Sequence, residues 1–302
     1  MGKDYLAPDG KQAISPMLAN LIYALYRTIK NSGLRGRGLL LRSTRFLPKR
    51  WRLLTVRFPG NLTRQLDLAQ PETLPLLDFS LEDYAQLDNL LVMIARAARP
   101  GSVLWDVGGN AGLVSLYFSN PQFQLRAIHT FEPNPDLAAH LETLFRGTIT
   151  TVHGVALGET EGTGVLKIPV DGADLASFVR KDLPPGREVE VPIRTGDQLI
   201  RHQQATAPDV IKIDVEGFEP EVLRGLRETI ATHRPVIFFE HLFLDNETIE
   251  RLRPEGYSLY FVPDRGDCLQ SGFENRRHGH NAVFVPDEKR ELLGIPKSQG
   301  SV

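Results

Sequence analysis

From Leu76 onward, nearly continuous apolar runs alternate with stretches in which apolar residues recur every three or four positions. SVLWDVG (102–108), LRAIHTFEP (125–133), DVIKIDVEG (209–217) and RPVIFFEH (234–241) are runs of the first kind. They predict strands buried on both faces. GLVSLYFS, PDLAAHLETLFRG, PEVLRGLRETIATH (with Leu223, Leu226 and Ile230 inward) and ETIERLRPEG carry the helical spacing between them. TITTVHGVALG reads as a further strand, and YSLYFV and NAVFVP close the series. GVLKIPV and EVEVPIRT alternate with period two and predict a strand pair near one edge, with DLPPGRE (182–188) as an exposed loop. Leu81, Leu87, Leu90, Leu91 and Ile94 predict a helix ahead of the first strand. This alternation predicts an α/β fold, a doubly wound, mostly parallel seven-stranded Rossmann-like sheet over residues 76–302.

Residues 1–75 read differently. Ser15-Pro16 opens a helix with a capping hydroxyl and an N-terminal proline. Leu18, Ile22 and Leu25 fall on one face, and Asn31-Ser32-Gly33 stops it. Charge sharpens the picture: residues 21–60 hold ten Lys or Arg and no acid, whereas residues 61–302 hold 23 basic and 35 acidic residues. The expectation is a mainly helical, basic N-terminal extension on an acidic domain. Residues 21–60 read either as a solvated or paired face packed back on the domain or as a surface for an anionic membrane or an acidic partner, with no specific nucleic acid expected. No apolar run approaches the ~20 residues that span a bilayer, and Cys268 is the only cysteine. The expected location is cytoplasmic, with membrane-peripheral attachment through the arm as an extension of that reading. The sequence does not define an oligomeric state.

Open parallel sheets bind ligands beyond the carboxyl ends of their strands, where the strand order reverses. Acids stand at four such ends, Asp106, Glu132, Asp214 and Glu240, the last followed by His241. The glycines of LWDVGGNAG (104–112) do not fit the dinucleotide pattern G-x-G-x-x-G, because Asn110 and Leu113 occupy its second and third glycine positions. The pattern present is D-x-G-x-x-x-G, from Asp106, Gly108 and Gly112, with Gly109 and Asn110 between. Such a loop admits a nucleoside without cradling a pyrophosphate. Glu132, 20 residues beyond Gly112, is placed to accept from both ribose hydroxyls. An adenosyl ligand without a pyrophosphate points to S-adenosylmethionine, with the glycines clearing space for it.

DVGGNAGLVSLYFS, FEPNPDLAAHLE, GVALGE and IKIDVEGFEPEVLRG resemble the FkbM family of S-adenosylmethionine-dependent methyltransferases, and NAVFVP resembles that family's last strand. The resemblance covers roughly residues 78–286 by motif order. It implies a class I methyltransferase that methylates a hydroxyl of a sugar, polyketide or other small natural product. It also adds Pro133, Ala156, Leu157 and Asp214 to the expected cofactor contacts. A hydroxyl needs a base before it attacks a methyl group. Asp214, Glu240 and His241 are the candidates for that work. A divalent metal such as Mg²⁺ is the less favoured alternative, since hard oxygen sites usually gather more carboxylates. The rival readings are a nicotinamide-dependent oxidoreductase and a non-catalytic binding module acting through the basic arm.

Overall fold

The computed structural model describes residues 17–31, 37–58, 63–70, 73, 76–77, 89–169, 176–180, 182–264 and 268–296. The chain divides into two compact units, Met1–Glu82 and Asp83–Val302. The boundary expected after residue 75, the helix start at Ser15-Pro16, and Leu81 and Leu87 fall outside the described residues.

In the first unit, helix α1 (Met17–Asn31) packs on α2 (Arg37–Ser43) and α3 (Lys49–Arg52). An antiparallel hairpin of β1 (Leu53–Arg57) and β2 (Thr63–Asp67) follows. The buried face of α1 is Ala19, Ile22 and Tyr26 rather than Leu18, Ile22 and Leu25; Leu25 and Leu21 are exposed. The large Tyr26 ring fills the position next to Ile22 that a leucine was expected to fill. The hairpin was not expected. Its first strand does alternate, with Leu54 and Val56 buried and Thr55 and Arg57 exposed, but flanking arginines mask that period. Arg52 ties α3 to the hairpin through an ion pair with Asp67 at 2.7 Å.

The second unit opens with α4 (Asn89–Ala97) and then builds the sheet. Its strands are β3 (Val103–Val107), β4 (Ala127–Phe131), β5 (Thr150–His153), β9 (Val210–Ile213), β10 (Val236–Glu240), β11 (Tyr257–Val262) and β12 (Asn281–Pro286). Their order is β11-β12-β10-β9-β3-β4-β5. Strands β10, β9, β3, β4 and β5 are parallel; β12 runs antiparallel to both β10 and β11. The expected seven-stranded, mostly parallel sheet is therefore present. All five residues of β3 and all four of β9 are buried, which is why those runs are continuous in sequence. Trp105, Phe131, Ile211, Phe239 and Phe284 belong to one apolar cluster with the inward face of the flanking helices, Leu223, Leu226 and Ile230 among them.

The connecting helices begin where side chains can accept backbone N–H groups. After α5 (Leu113–Phe118), Asn134 caps α6 (Pro135–Leu144), and Thr195 caps α7 (Gly196–Arg201). The expected single helix over 220–233 is two, α8 (Glu219–Arg224) and α9 (Arg227–His233). Gly225, at the break, stands where a close approach excludes a side chain: a Cβ there would stand 2.0 Å from the Gly158 carbonyl oxygen. Asp245 caps the last helix, α10 (Asn246–Leu252).

Two strand expectations are corrected. TITTVHGVALG divides into β5 and β6 (Ala156–Leu157). The pair β7 (Gly162–Pro169) and β8 (Gly186–Arg194) does not extend the main sheet; with β6 it forms a separate sheet of order β6-β8-β7. Strand β8 also takes up the end of the expected loop 182–188. The chain leaves β3 toward β4 and β5, then returns to β9 and runs the other way to β10. The switch point thus lies between β3 and β9, and Gly108 and Asp214 stand at its carboxyl edge.

Candidate functional site

At this edge Asp214 N–H donates to the Val107 carbonyl at 3.0 Å, so the chain after β9 runs against the glycine loop. Gly108 has φ +80°, and a Cβ on it would fall 1.8 Å from the Asp214 carbonyl oxygen. A Cβ at Gly109 would meet Thr130, and one at Gly112 (φ +86°) would meet Leu141. The space these glycines clear is therefore filled by the protein's own backbone and side chains. They allow the loop to fold tightly between β9, β4 and α6. Space for a ligand was the expected reason, and the packing supplies a different one.

The loop is then held by carboxylates. Asp106 is fully buried; its Oδ2 accepts from Ser115 N–H at 3.2 Å and from the Ser115 hydroxyl at 2.7 Å, fixing the start of α5. Glu132 Oε2 accepts from Asn110 N–H and Oε1 from Asn134 N–H, both at 2.8 Å. Asn110 sits at φ +48°, so Glu132 steadies a left-handed turn as well as the entry to α6. Burial pushes the Glu132 carboxyl up to about 7, against the pull of those two N–H groups. Each oxygen keeps lone-pair capacity for one further donor. Pro133 is half-buried beside it. Ala156 and Leu157 are buried; both pair with β8, and Leu157 joins the main apolar cluster.

Lys212, absent from the expected set, joins the two halves of the edge. It is buried in β9, donates to the Gly108 carbonyl at 3.0 Å, and stands 3.4 Å from both Asp106 and Asp214. Burial works against its charge, but Asp214 and Asp106 outweigh that and raise its pKa. The signal was in the sequence: a lysine within VIKI must find its partners inside.

Beyond Lys212 the acids crowd together. One oxygen from each of Asp214, Glu216 and Glu240 lies within 4.8 Å of the others. Asp214 is the open member, its side chain 42% exposed. Glu216 lies at φ +53° and pairs with Arg180 at 2.7 Å, while its carbonyl accepts from the Ser177 hydroxyl at 2.8 Å. Arg180 also pairs with Asp182 and stacks 4.8 Å from the Phe243 ring. Because Arg180 reaches the site from the region between β7 and β8, no sequence spacing marked it. Glu219 accepts from Val215 and Gly217 N–H groups and so closes the turn. Glu240, at the end of β10, has a buried Oε2 without a hydrogen-bond partner among the described residues. Burial, reinforced by Asp214, Glu216 and Glu219, pushes its carboxyl up to about 8, with Lys212 opposing.

His241 is not gathered with these acids. Its Nδ1 accepts from Arg276 Nε at 3.2 Å, its ring meets Phe261 edge-on at 5.3 Å, and burial followed by Arg276 pushes it down to about 4. Such an imidazole is a weak proton acceptor at neutral pH. The edge therefore carries a rigid loop held by Asp106 and Glu132, and a crowded acidic group at Asp214, Glu216 and Glu240.

In a doubly wound sheet the switch point, which this edge occupies, is where ligands bind, and the comparison with known families says which class of ligand-binding domain this is. The methyltransferase FkbM domain matches residues 106–259, about half of the chain. The chain belongs to the FkbM methyltransferase family and is a methyltransferase. It is 26% identical over 175 residues to the hexuronic acid methyltransferase AglP of Haloferax volcanii, covering 58% of this chain and 71% of that protein. Among solved structures it is similar to methyltransferase FkbM from Methylobacillus flagellatus (19% identity, TM-score 0.40, 62% of this chain). The chain spans 44% of the length of that protein. It is also similar to a TehB-like SAM-dependent methyltransferase from Corynebacterium glutamicum (15% identity, TM-score 0.37, 71% of this chain and 97% of that one).

Proposed function

We propose that this chain is an S-adenosylmethionine-dependent O-methyltransferase acting on a hydroxyl of a sugar or related small molecule. The observation that carries the reading is the crowding of Asp214, Glu216 and Glu240 beside Gly108, which leaves Glu240 at about 8 next to an open Asp214. The hexuronic acid relative supports a sugar acceptor. When bound, the cofactor supplies a methyl group already activated on a sulfonium. Glu132, with one lone pair left on each oxygen, and the backbone of residues 108–112 would hold it.

The chain's own part is to position the acceptor and move one proton. Asp214, open to solvent and 3.4 Å from Lys212, accepts a hydrogen bond from the acceptor hydroxyl. Glu240, pushed up to about 8 by burial and by the neighbouring acids, lies close to the range in which a general base is most effective. Glu219 and Arg180 keep the turn at Glu216 and Gly217 in place. A hydroxyl acceptor fits better than a carboxylate, because three acids here would repel an incoming carboxylate and such a nucleophile needs no base.

Three carboxylates within 4.8 Å also give a divalent cation a second hearing. Lys212 and Arg180 already lie against Asp214 and Glu216, and two cations in place weigh toward direct base catalysis. The test is methyl transfer from labelled S-adenosylmethionine to hexuronic acids and neutral hexoses, with and without EDTA. The expected product is an alkali-stable ether, formed equally well under chelation. An alkali-labile ester would overturn the hydroxyl assignment, and loss of turnover with EDTA would move the proton step to a metal.

A further inference from the structure

We infer that the basic first unit is an interfacial surface for an anionic lipid bilayer. Its composition gave the charge, and the fold adds apolar groups that the charge alone did not predict. Leu21, Leu25, Leu39, Phe46 and Trp51 are all exposed, Leu39 at 75% and Phe46 at 77%. All five lie on or between the helices α1, α2 and α3, which pack on one another. Leu21 and Leu25, one turn apart, share a stripe of α1 that flanks its buried Ala19, Ile22 and Tyr26. Water is a poor environment for so many large apolar side chains in one small unit.

Cations are interleaved with them. Arg27, Arg42, Arg45, Lys49 and Arg50 are exposed, and no acid occurs from residue 21 to residue 60. Arg45 lies over the Phe46 ring at 4.8 Å and Arg50 over the Trp51 ring at 5.4 Å. Asp67, the acid described in this unit, is paired with Arg52. Apolar and aromatic groups that enter the headgroup boundary, flanked by cations that meet lipid phosphates, are what an interfacial anchor requires. No helix among the described residues is long and apolar enough to cross a membrane, so the surface lies on the bilayer. Aromatics with arginines also suit single-stranded nucleic acid. The exposed leucines decide against it, because they neither stack on bases nor read them, whereas a bilayer interface takes both kinds of group.

The test is co-sedimentation of the 302-residue chain with large unilamellar vesicles of phosphatidylcholine, alone or with about 30 mol% phosphatidylglycerol, at about 0.1 M and about 0.5 M salt. One variant carries Leu39→Ser, Phe46→Ser and Trp51→Ser; another carries Arg45→Gln, Lys49→Gln and Arg50→Gln. These side chains are exposed, and thermal melts near wild type confirm that each variant folds. The expected result is at least about tenfold tighter binding to anionic than to neutral vesicles. The glutamine variant loses that preference, and the serine variant loses the binding that survives high salt. If the serine variant does not fold, the glutamine variant alone decides the matter. Failure of the wild type to pellet with anionic vesicles, or wild-type binding by the folded variants, overturns the proposal. So does displacement from vesicles by tighter binding to polyuridylate, or a dimer that the serine changes dissolve.

Discussion

The two groups of acids at the edge of the sheet behave in opposite ways. Asp106 and Glu132 are buried; backbone N–H groups occupy both oxygens of Glu132 and one of Asp106, whose other oxygen faces Lys212 at 3.4 Å without a hydrogen bond among the described residues. Asp214, Glu216 and Glu240 face one another, and one oxygen of Glu240 has no hydrogen-bond partner among the described residues. The first group builds a loop; the second is crowded, with Asp214 and Glu216 met by Lys212 and Arg180 and Glu240 left without a cation of its own. Acids at strand ends are thus not equivalent, and what separates them is whether backbone N–H groups donate to the carboxylate. Lys212 stands between the groups and balances one acid of each.

Removing that balance gives the largest effect expected. Lys212→Met leaves Asp106 buried without its cation, and loss of a buried partner costs about 3–5 kcal/mol. Chemical denaturation would report it. A loss below about 1 kcal/mol would mean that the two groups are not joined through Lys212. Glu240→Gln acts on the second group alone. It keeps the shape, removes a group near about 8, and lowers turnover about 10²-fold with little change in melting temperature. In the wild type, turnover rises as pH approaches about 8, and the variant lacks that limb. An unchanged pH profile would separate Glu240 from the proton step.

A smaller effect concerns stability and pH. Folding raises Glu132 and Glu219 to about 7 and Glu240 to about 8 from the usual 4.5. Unfolding then releases protons between those limits, so these groups favour the folded chain at low pH and lose that contribution as pH rises. His153 and His241, pushed down to about 4 from 6.5, have the opposite slope, confined to the range below 6.5. The two slopes oppose each other in acid. Above 6.5 the glutamates act alone, and the melting temperature falls toward about pH 8.5. A flat or rising profile there would contradict the burial of these acids.

Much of this was legible in the sequence because buried parallel strands leave long apolar runs. LWDV, VIKI and VIFF marked β3, β9 and β10 before any geometry was known. The hairpin β1–β2 was hidden because arginines surround a short alternation. The pair β7–β8 was recognised but placed in the wrong sheet, since a period of two does not name the neighbouring strand. At the site, the acids were visible as residue types at strand ends. Their donors were not: Asn110 and Asn134 act through backbone N–H groups, which every residue but proline has. Arg180 comes from a region distant in sequence, and Lys212, which the strand-end rule does not single out, is a charge inside an apolar run and so needs a partner.

The contrast between a structural and a chemical group of acids is tested most directly by calorimetric titration of S-adenosylmethionine into Glu132→Ala and Glu240→Gln side by side. Glu132→Ala removes the carboxylate that holds Asn110 and would face the ribose, so its affinity falls by more than about tenfold, in line with two lost charge-assisted hydrogen bonds. Glu240→Gln leaves the loop intact and binds within about threefold of wild type. Equal losses in the two variants, or the larger loss in Glu240→Gln, would contradict the division.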